Sequence, residues 1–234
     1  MQHELRPKGR QPVKSPIRFQ PILIVLATAA LWCQQSPKAA AQVPDENRKQ
    51  LVEALGPPFI IFRDKVLDEL KVSDEPKEKL LQHLMEQIME TGPFLDSLAQ
   101  AGEEREQKLD EHRKKAREKL AKILKEALKP EQHKRLRQIE LQQERAFALG
   151  QPELVKELKI TDQQRQQFVA ITQELQKKVQ PLIKEAQAGG QPEEIRPKIF
   201  KIRDEYAKKL EAVLTDLQQK KWKDMLGKPF DLGD

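Results

Sequence analysis

The sequence predicts an all-α protein of elongated amphipathic helical hairpins in two tandem repeats. Three observations lead there. Gln, Glu, Lys and Leu dominate the composition, with only 5% aromatic and 34% charged residues in 234. Apolar residues recur at steps of three and four, never in the alternation of a strand. The chain also repeats itself: Leu70-Lys71-Val72-Ser73-Asp74 returns as Leu158-Lys159-Ile160-Thr161-Asp162, 88 residues later. Pro93 and Pro181 keep that step, Ala99-Gln100-Ala101-Gly102 returns at Ala186 after 87 residues, and Leu128…Gln132 returns as Leu214…Gln218 after 86. So small a drift marks a duplicated unit.

Residues 1–41 predict an export signal. Arg6, Lys8, Arg10, Lys14 and Arg18 precede an apolar stretch from Pro21 to Cys33, and Ala39-Ala40-Ala41 supplies the small residues a signal peptidase reads, with cleavage before Gln42. The stretch is well short of the roughly 20 residues a membrane-spanning helix needs. Bulky Trp32 before Cys33 argues against lipidation. The expected product is periplasmic or otherwise exported, without stable membrane insertion. Removing the leader changes the charge argument. The whole chain is +6, yet residues 42–234 hold 37 Lys and Arg against 36 Asp and Glu. Runs such as Arg113-Lys114-Lys115 are laced with acids at helical spacing, so nucleic-acid binding is not expected.

Beyond the leader, residues 42–70 predict a capping segment, 71–150 the first repeat and 151–234 the second. Helices are expected over 59–70, 74–91, 93–101, 103–128, 130–149, 152–158, 161–188, 192–213 and 215–226. The stripe Phe168, Ile171, Leu175, Val179, Leu182, Ala186 covers one face of an outgoing helix. Ile195, Ile199, Ile202, Tyr206, Leu210, Val213 covers one face of its return. In the first repeat, Leu109, Ala116, Leu120, Ile123 and Ala127 form the returning stripe. Pro93 and Pro181 are expected to interrupt or kink the outgoing helices. Leu55-Gly56-Pro57-Pro58, Leu149-Gly150-Gln151-Pro152 and Leu226-Gly227-Lys228-Pro229 predict three helix ends closed by glycine and proline. A single unit buries little surface, so the copies are expected to pack on each other.

Helix starts carry the one recurrent motif. In Leu214-Thr215-Asp216-Leu217-Gln218, Thr215 at the N-cap and Gln218 three residues on form a capping box. Ile160-Thr161-Asp162-Gln163-Gln164 is the same box. Leu128-Lys129-Pro130-Glu131-Gln132 lacks the threonine but has proline at the first helical position. In Val72-Ser73-Asp74-Glu75-Pro76 only the Ser73 cap survives.

With an export signal, this pattern resembles the Spy/CpxP family of periplasmic helical proteins, whose helix starts carry Leu-Thr-x-x-Gln. Residues 214–218 match that motif fully, 160–164 with Ile for Leu, and 128–132 in the Leu and Gln only. The resemblance implies a stress-induced chaperone or envelope-stress regulator, a cradle-shaped antiparallel dimer in single-unit members, and a concave face that holds unfolded clients. Here two units stand in tandem. The tandem can supply within one chain what a dimer supplies elsewhere, and a homodimer remains open.

The resemblance also raises metal sensing. However, His83, His112 and His133 are never three or four residues from another His, and no cysteine follows Cys33, so no metal or other cofactor is expected. Nor is an enzyme. The chain has no nucleophile beside a His, no glycine-rich phosphate loop and no carboxylate pair in an apolar setting. Two segments are candidates for client binding: Phe59-Ile60-Ile61-Phe62, and the thioether-rich stripe Leu84, Met85, Ile88, Met89. Both also fit core packing. Trp222, Met225 and Phe230 are expected to cap the second unit. The function expected is non-catalytic holding of partly unfolded envelope proteins. The alternatives are an adaptor or regulator with one defined protein partner, or a metal-responsive sensor.

Overall fold

A computed structural model describes residues 43–98 and 102–233. Among them there is no strand. The helices are α1 (Asp45–Leu55), α2 (Asp64–Leu70), α3 (Asp74–Leu98), α4 (Arg105–Ala127), α5 (Pro130–Glu144), α6 (Pro152–Glu157), α7 (Asp162–Gln187), α8 (Pro192–Ala212) and α9 (Asp216–Leu226). Three 3-10 turns join them, at Pro57–Phe62, Gly102–Glu104 and Arg145–Gly150. The export signal and its cleavage site lie outside the described residues.

Two hairpins dominate, α3 with α4 and α7 with α8, each pair packed along its length. At 1.5 Å per residue, α7 is about 39 Å long and α8 about 32 Å. Pro93 does not divide α3, and Pro181 lies within an unbroken α7. Both prolines are exposed, so the carbonyl that each deprives of its N–H partner can turn to water while the packed stripe holds the helix.

Burial falls into two clusters. The first joins α1, the turn 57–62, α2, the base of the α3–α4 hairpin and the first half of α5, ending at Leu136 and Ile139. The second begins at Leu141 on the same helix and continues through Ala146, Ala148, Leu149, Leu154 and Phe168 to Leu210, Leu214 and Trp222. Helix α5 is therefore shared. The cores part between Ile139 and Leu141, not at the expected boundary after residue 150. The expected capping segment 42–70 is likewise no appendage: Leu51, Leu55, Phe59, Ile60, Ile61, Phe62, Val66, Leu67 and Leu70 make up much of the first core.

Arg48, 2% exposed, lies inside that core. Its guanidinium donates to the carbonyls of Val43 at 3.0 Å and Phe62 at 2.9 Å, and pairs with Asp64. A buried cation survives here because its donors are matched.

Gly56 (φ 102°) and Gly227 (φ 63°) end α1 and α9 as their positions predict. Gly150 does not end α5. That helix stops at Glu144, Arg145 takes φ 54°, and a 3-10 turn runs on to Gly150. The tighter turn directs Ala146, Ala148 and Leu149 into the second core, which a continued α-helix would not do. After Gly227 the chain doubles back along α5. Lys228 carbonyl accepts from Arg135 at 2.7 Å, Phe230 N–H donates to Gln142 at 2.8 Å, and Phe230 and Leu232 pack on the first core. Trp222 and Met225 do lie in the second cluster, but Phe230 closes the first, contrary to the sequence expectation.

Candidate functional site: the glutamine junctions and the exposed apolar positions

The motif residues divide into three jobs. Leu128, Ile160 and Leu214 are 6%, 8% and 4% exposed and anchor each helix start in a core. Thr161 and Thr215 accept from the N–H of Gln164 (3.2 Å) and Gln218 (3.4 Å), while those glutamines accept from the threonine N–H groups at 3.0 and 2.9 Å. These are complete capping boxes. Lys129 has no acceptor oxygen, so only half a box forms there, with Gln132 accepting from Lys129 N–H at 2.8 Å. Helix α3 starts directly after Ser73, whose carbonyl accepts from Lys77 N–H at 3.0 Å.

The third job reaches across the fold. Gln218 Nε2 donates to the carbonyls of Leu158 (3.1 Å) and Lys159 (3.3 Å), the last residues before the other motif. Gln164 Nε2 returns the contact to Val213 carbonyl at 2.9 Å, and the two amides bond each other at 2.7 and 3.1 Å. Near the first core, Gln132 Nε2 donates to Leu70 (2.8 Å) and Lys71 (3.3 Å), the residues 88 positions before Leu158 and Lys159. Lys71 and Lys159 both take left-handed backbone, φ 49° and 53°, and Val72 and Ile160 N–H close the same six-residue turn around them, donating to Leu67 and Val155 carbonyls. Where Gln164 stands in one junction the other has Pro76, which has no amide to offer, so that clasp is one-sided. These glutamines satisfy helix-end carbonyls left free by the chain reversal. They hold the fold and leave no donor directed at a ligand. Thr215→Ala is expected to cost about 0.5–2 kcal/mol through the lost cap, read as a lowered urea midpoint.

The candidate client-binding residues are mostly unavailable. Phe59, Ile60, Ile61 and Phe62 are 0–1% exposed, and Leu84 and Ile88 are 0% and 2%. Met85 is half-buried against the first core and only Met89, at 50%, faces water. The correction has a physical cause. The 3-10 turn carries the Phe59 run under α1, and the base of α3 packs on that run, so the densest apolar segment is consumed as core. Among the described residues, the exposed large apolar side chains elsewhere are Val169, Ile183, Phe200 and Leu217. Phe200 was legible as an aromatic lying off the Ile195–Ile199–Ile202–Tyr206 stripe.

Among the described residues no group of three His, Cys, Asp or Glu is placed to hold a metal ion. His83 is buried beside Phe62, with Nδ1 3.5 Å from a Glu86 oxygen, too far for a strong hydrogen bond; burial lowers its pKa. His112 stacks on Phe94 at 4.0 Å and lies 3.2 Å from Thr91 Oγ1; burial lowers its pKa too. Among the described residues no helix is long and apolar enough to cross a membrane.

The strongest electrostatic feature is on the shared helix. Burial pushes the Glu140 carboxyl up to about 7, against the partial relief of Arg137 at 3.5 Å, and burial also raises Glu144 one turn on. Arg137 continues to Gln151 at 2.8 Å, and Gln151 donates to Glu144. A carboxyl at about 7 in the fold and 4.5 when free holds its proton more tightly when folded. Its contribution is fully present below about pH 4.5 and is lost as pH rises through 7, by about 3 kcal/mol in all. His83 and His112 act oppositely, losing stability as pH falls below 6.5. Glu140→Gln isolates the carboxyl: relative to the native chain, it should gain stability steadily from about pH 5 to about pH 8, in denaturation series at each pH.

No family model, curated protein or solved structure matches this chain.

Proposed function

We propose that the chain is a non-catalytic, exported helical protein of the Spy/CpxP type, a duplicated form that holds partly unfolded proteins on its hairpin surfaces. One observation carries the reading: Gln132 and Gln218 each bridge a helix start to the end of a preceding helix, at Leu70–Lys71 and at Leu158–Lys159 88 residues later, and Gln164 bridges its own helix start to the end of the following helix at Val213. Long hairpins with thin cores also leave apolar side chains such as Met89, Val169 and Phe200 in water among many charges, a surface suited to weak, adaptable contacts. Neither cleft lined by side chains from α3–α4 or from α5–α8–α9 gathers a nucleophile with a base.

The test is suppression of aggregation. An unrelated enzyme is unfolded by heat with and without the purified protein, and scattering is followed. Near-stoichiometric suppression that is lost when Val169, Phe200 and Leu217 are changed together to Ser supports the reading. Full aggregation at several-fold excess overturns it. A single tight partner recovered at fixed stoichiometry, with no suppression, favours the adaptor instead.

A further inference from the structure

The α7–α8 hairpin carries a belt of one charge. Residues 175–184 and 195–203 contain no Asp or Glu but hold Lys177, Lys178 and Lys184 on α7, and Arg196, Lys198, Lys201 and Arg203 on α8. All seven are exposed, and among the described residues none is in an ion pair. Arg203 alone is engaged otherwise, over the Phe147 ring at 5.1 Å. Acids bound the belt without entering it: Glu185, Glu193 and Glu194 toward the turn, Glu174, Asp204 and Glu205 toward the base. Because α7 and α8 run antiparallel from the turn at 188–191, the two stretches lie side by side over about 15 Å. The α3 stretch 86–96 has the opposite character, with Glu86, Glu90 and Asp96 and no cation.

Apolar side chains protrude from the same belt. Phe200 is 65% exposed and Ile183 46%. At about 100° per residue, Ile183 lies roughly 90° and Phe200 roughly 130° from the hairpin seam in the same rotational sense. In an antiparallel pair that places both on one side, together with Arg196 and Arg203, while Lys178, Lys198 and Lys201 lie on the other. Neither side chain lines the clefts at Glu90–His112 or Gln142–Asp204. A two-helix arm with protruding rather than recessed apolar groups does not form a groove for a peptide's side chains. A lipid bilayer needs no groove, because protruding Phe and Ile enter the headgroup layer while Lys and Arg around them meet anionic phosphates.

We propose that this arm is a peripheral docking surface for an anionic lipid bilayer, with Ile183 and Phe200 as shallow anchors, and with Arg196 and Arg203 on their side of the hairpin and Lys184 at its outer edge as the electrostatic complement. It shares Phe200 with the client-holding reading but not the cations, so the charge variants separate the two: vesicle binding can fail while suppression of aggregation persists, and the reverse.

The experiment uses protein purified after expression of the full chain, with vesicles of phosphatidylcholine alone or mixed with phosphatidylglycerol, followed by co-sedimentation. Binding is expected to the mixed vesicles only and to fall steeply with salt, as screening shortens the reach of the belt. The triple variant K184E/R196E/R203E should bind on the order of a hundredfold more weakly. Phe200→Ser should weaken binding with its salt dependence unchanged. The control K114E/K115E/K122E, with the same change of net charge on α4, should leave binding near the native level, and circular dichroism should show native helicity throughout. Equal binding to both vesicle types, equal losses in the two triple variants, or tighter binding to duplex DNA or polyglutamate than to the mixed vesicles would each overturn the proposal.

Discussion

Phe62→Ala is expected to remove about 3–5 kcal/mol of stability, from a total that for a domain of this kind is about 5–15. Phe62 has no exposed surface, its ring centroid lies 6.0 Å from that of Phe59, and its carbonyl accepts from the buried guanidinium of Arg48. Truncation therefore opens a cavity where α1, the 3-10 turn and α3 meet, and loosens the seat of a buried charge. The measurement is a urea midpoint that falls while the slope holds. Met89→Ala is the companion: half exposed, it should stay within about 0.5 kcal/mol. A Phe62→Ala protein with a native midpoint but weakened client binding would restore the Phe59 run as a surface.

Gln164→Ala should cost about 2–4 kcal/mol, more than an ordinary polar truncation. Gln164 is 8% exposed, and its amide serves Thr161 N–H, Val213 carbonyl and the Gln218 amide together. Losing it strands three groups where water has little access. The double variant with Gln218→Ala should cost less than the sum of the singles, with a coupling of about 0.5–3 kcal/mol, because the amides bond each other. Gln132→Ala should cost less than Gln164→Ala, since Pro76 in the first junction offers no returning amide. Strict additivity at Gln164 and Gln218 would show that the clasp is not a unit.

Much of the fold was legible because helical periodicity is a local property. The α7 and α8 stripes, the capping boxes at Thr161 and Thr215, and the glycine ends at 56 and 227 each depend on residues within a turn or two of one another. The misreadings arose where a local rule met a distant demand. Pro93 breaks a helix only if nothing holds the helix together, and the α4 partner does. Gly150 ends a helix only if the helix reaches it, and the second core's need for Ala146, Ala148 and Leu149 stopped α5 at Glu144 first. Of the site residues, the motif positions were legible as caps. Their amides' second role was not, since the carbonyls they serve lie about 50–60 residues away in sequence, a separation no capping rule addresses.

The amino-acid sequence by itself determined that this protein is all helical, where most of its helices start, and that its apolar residues form narrow stripes. Those properties follow from side-chain spacing, cap chemistry and the backbone limits of glycine and proline, which act within a few residues. Only the tertiary structure decided which stripes became core and which stayed in water. It drew Phe59–Phe62 inward, left Phe200 outside, threaded α5 through both cores and turned the tail back so that Phe230 closed the first. Burial is a contest among all apolar segments for a limited number of neighbours, and its outcome depends on contacts between residues that no local spacing relates.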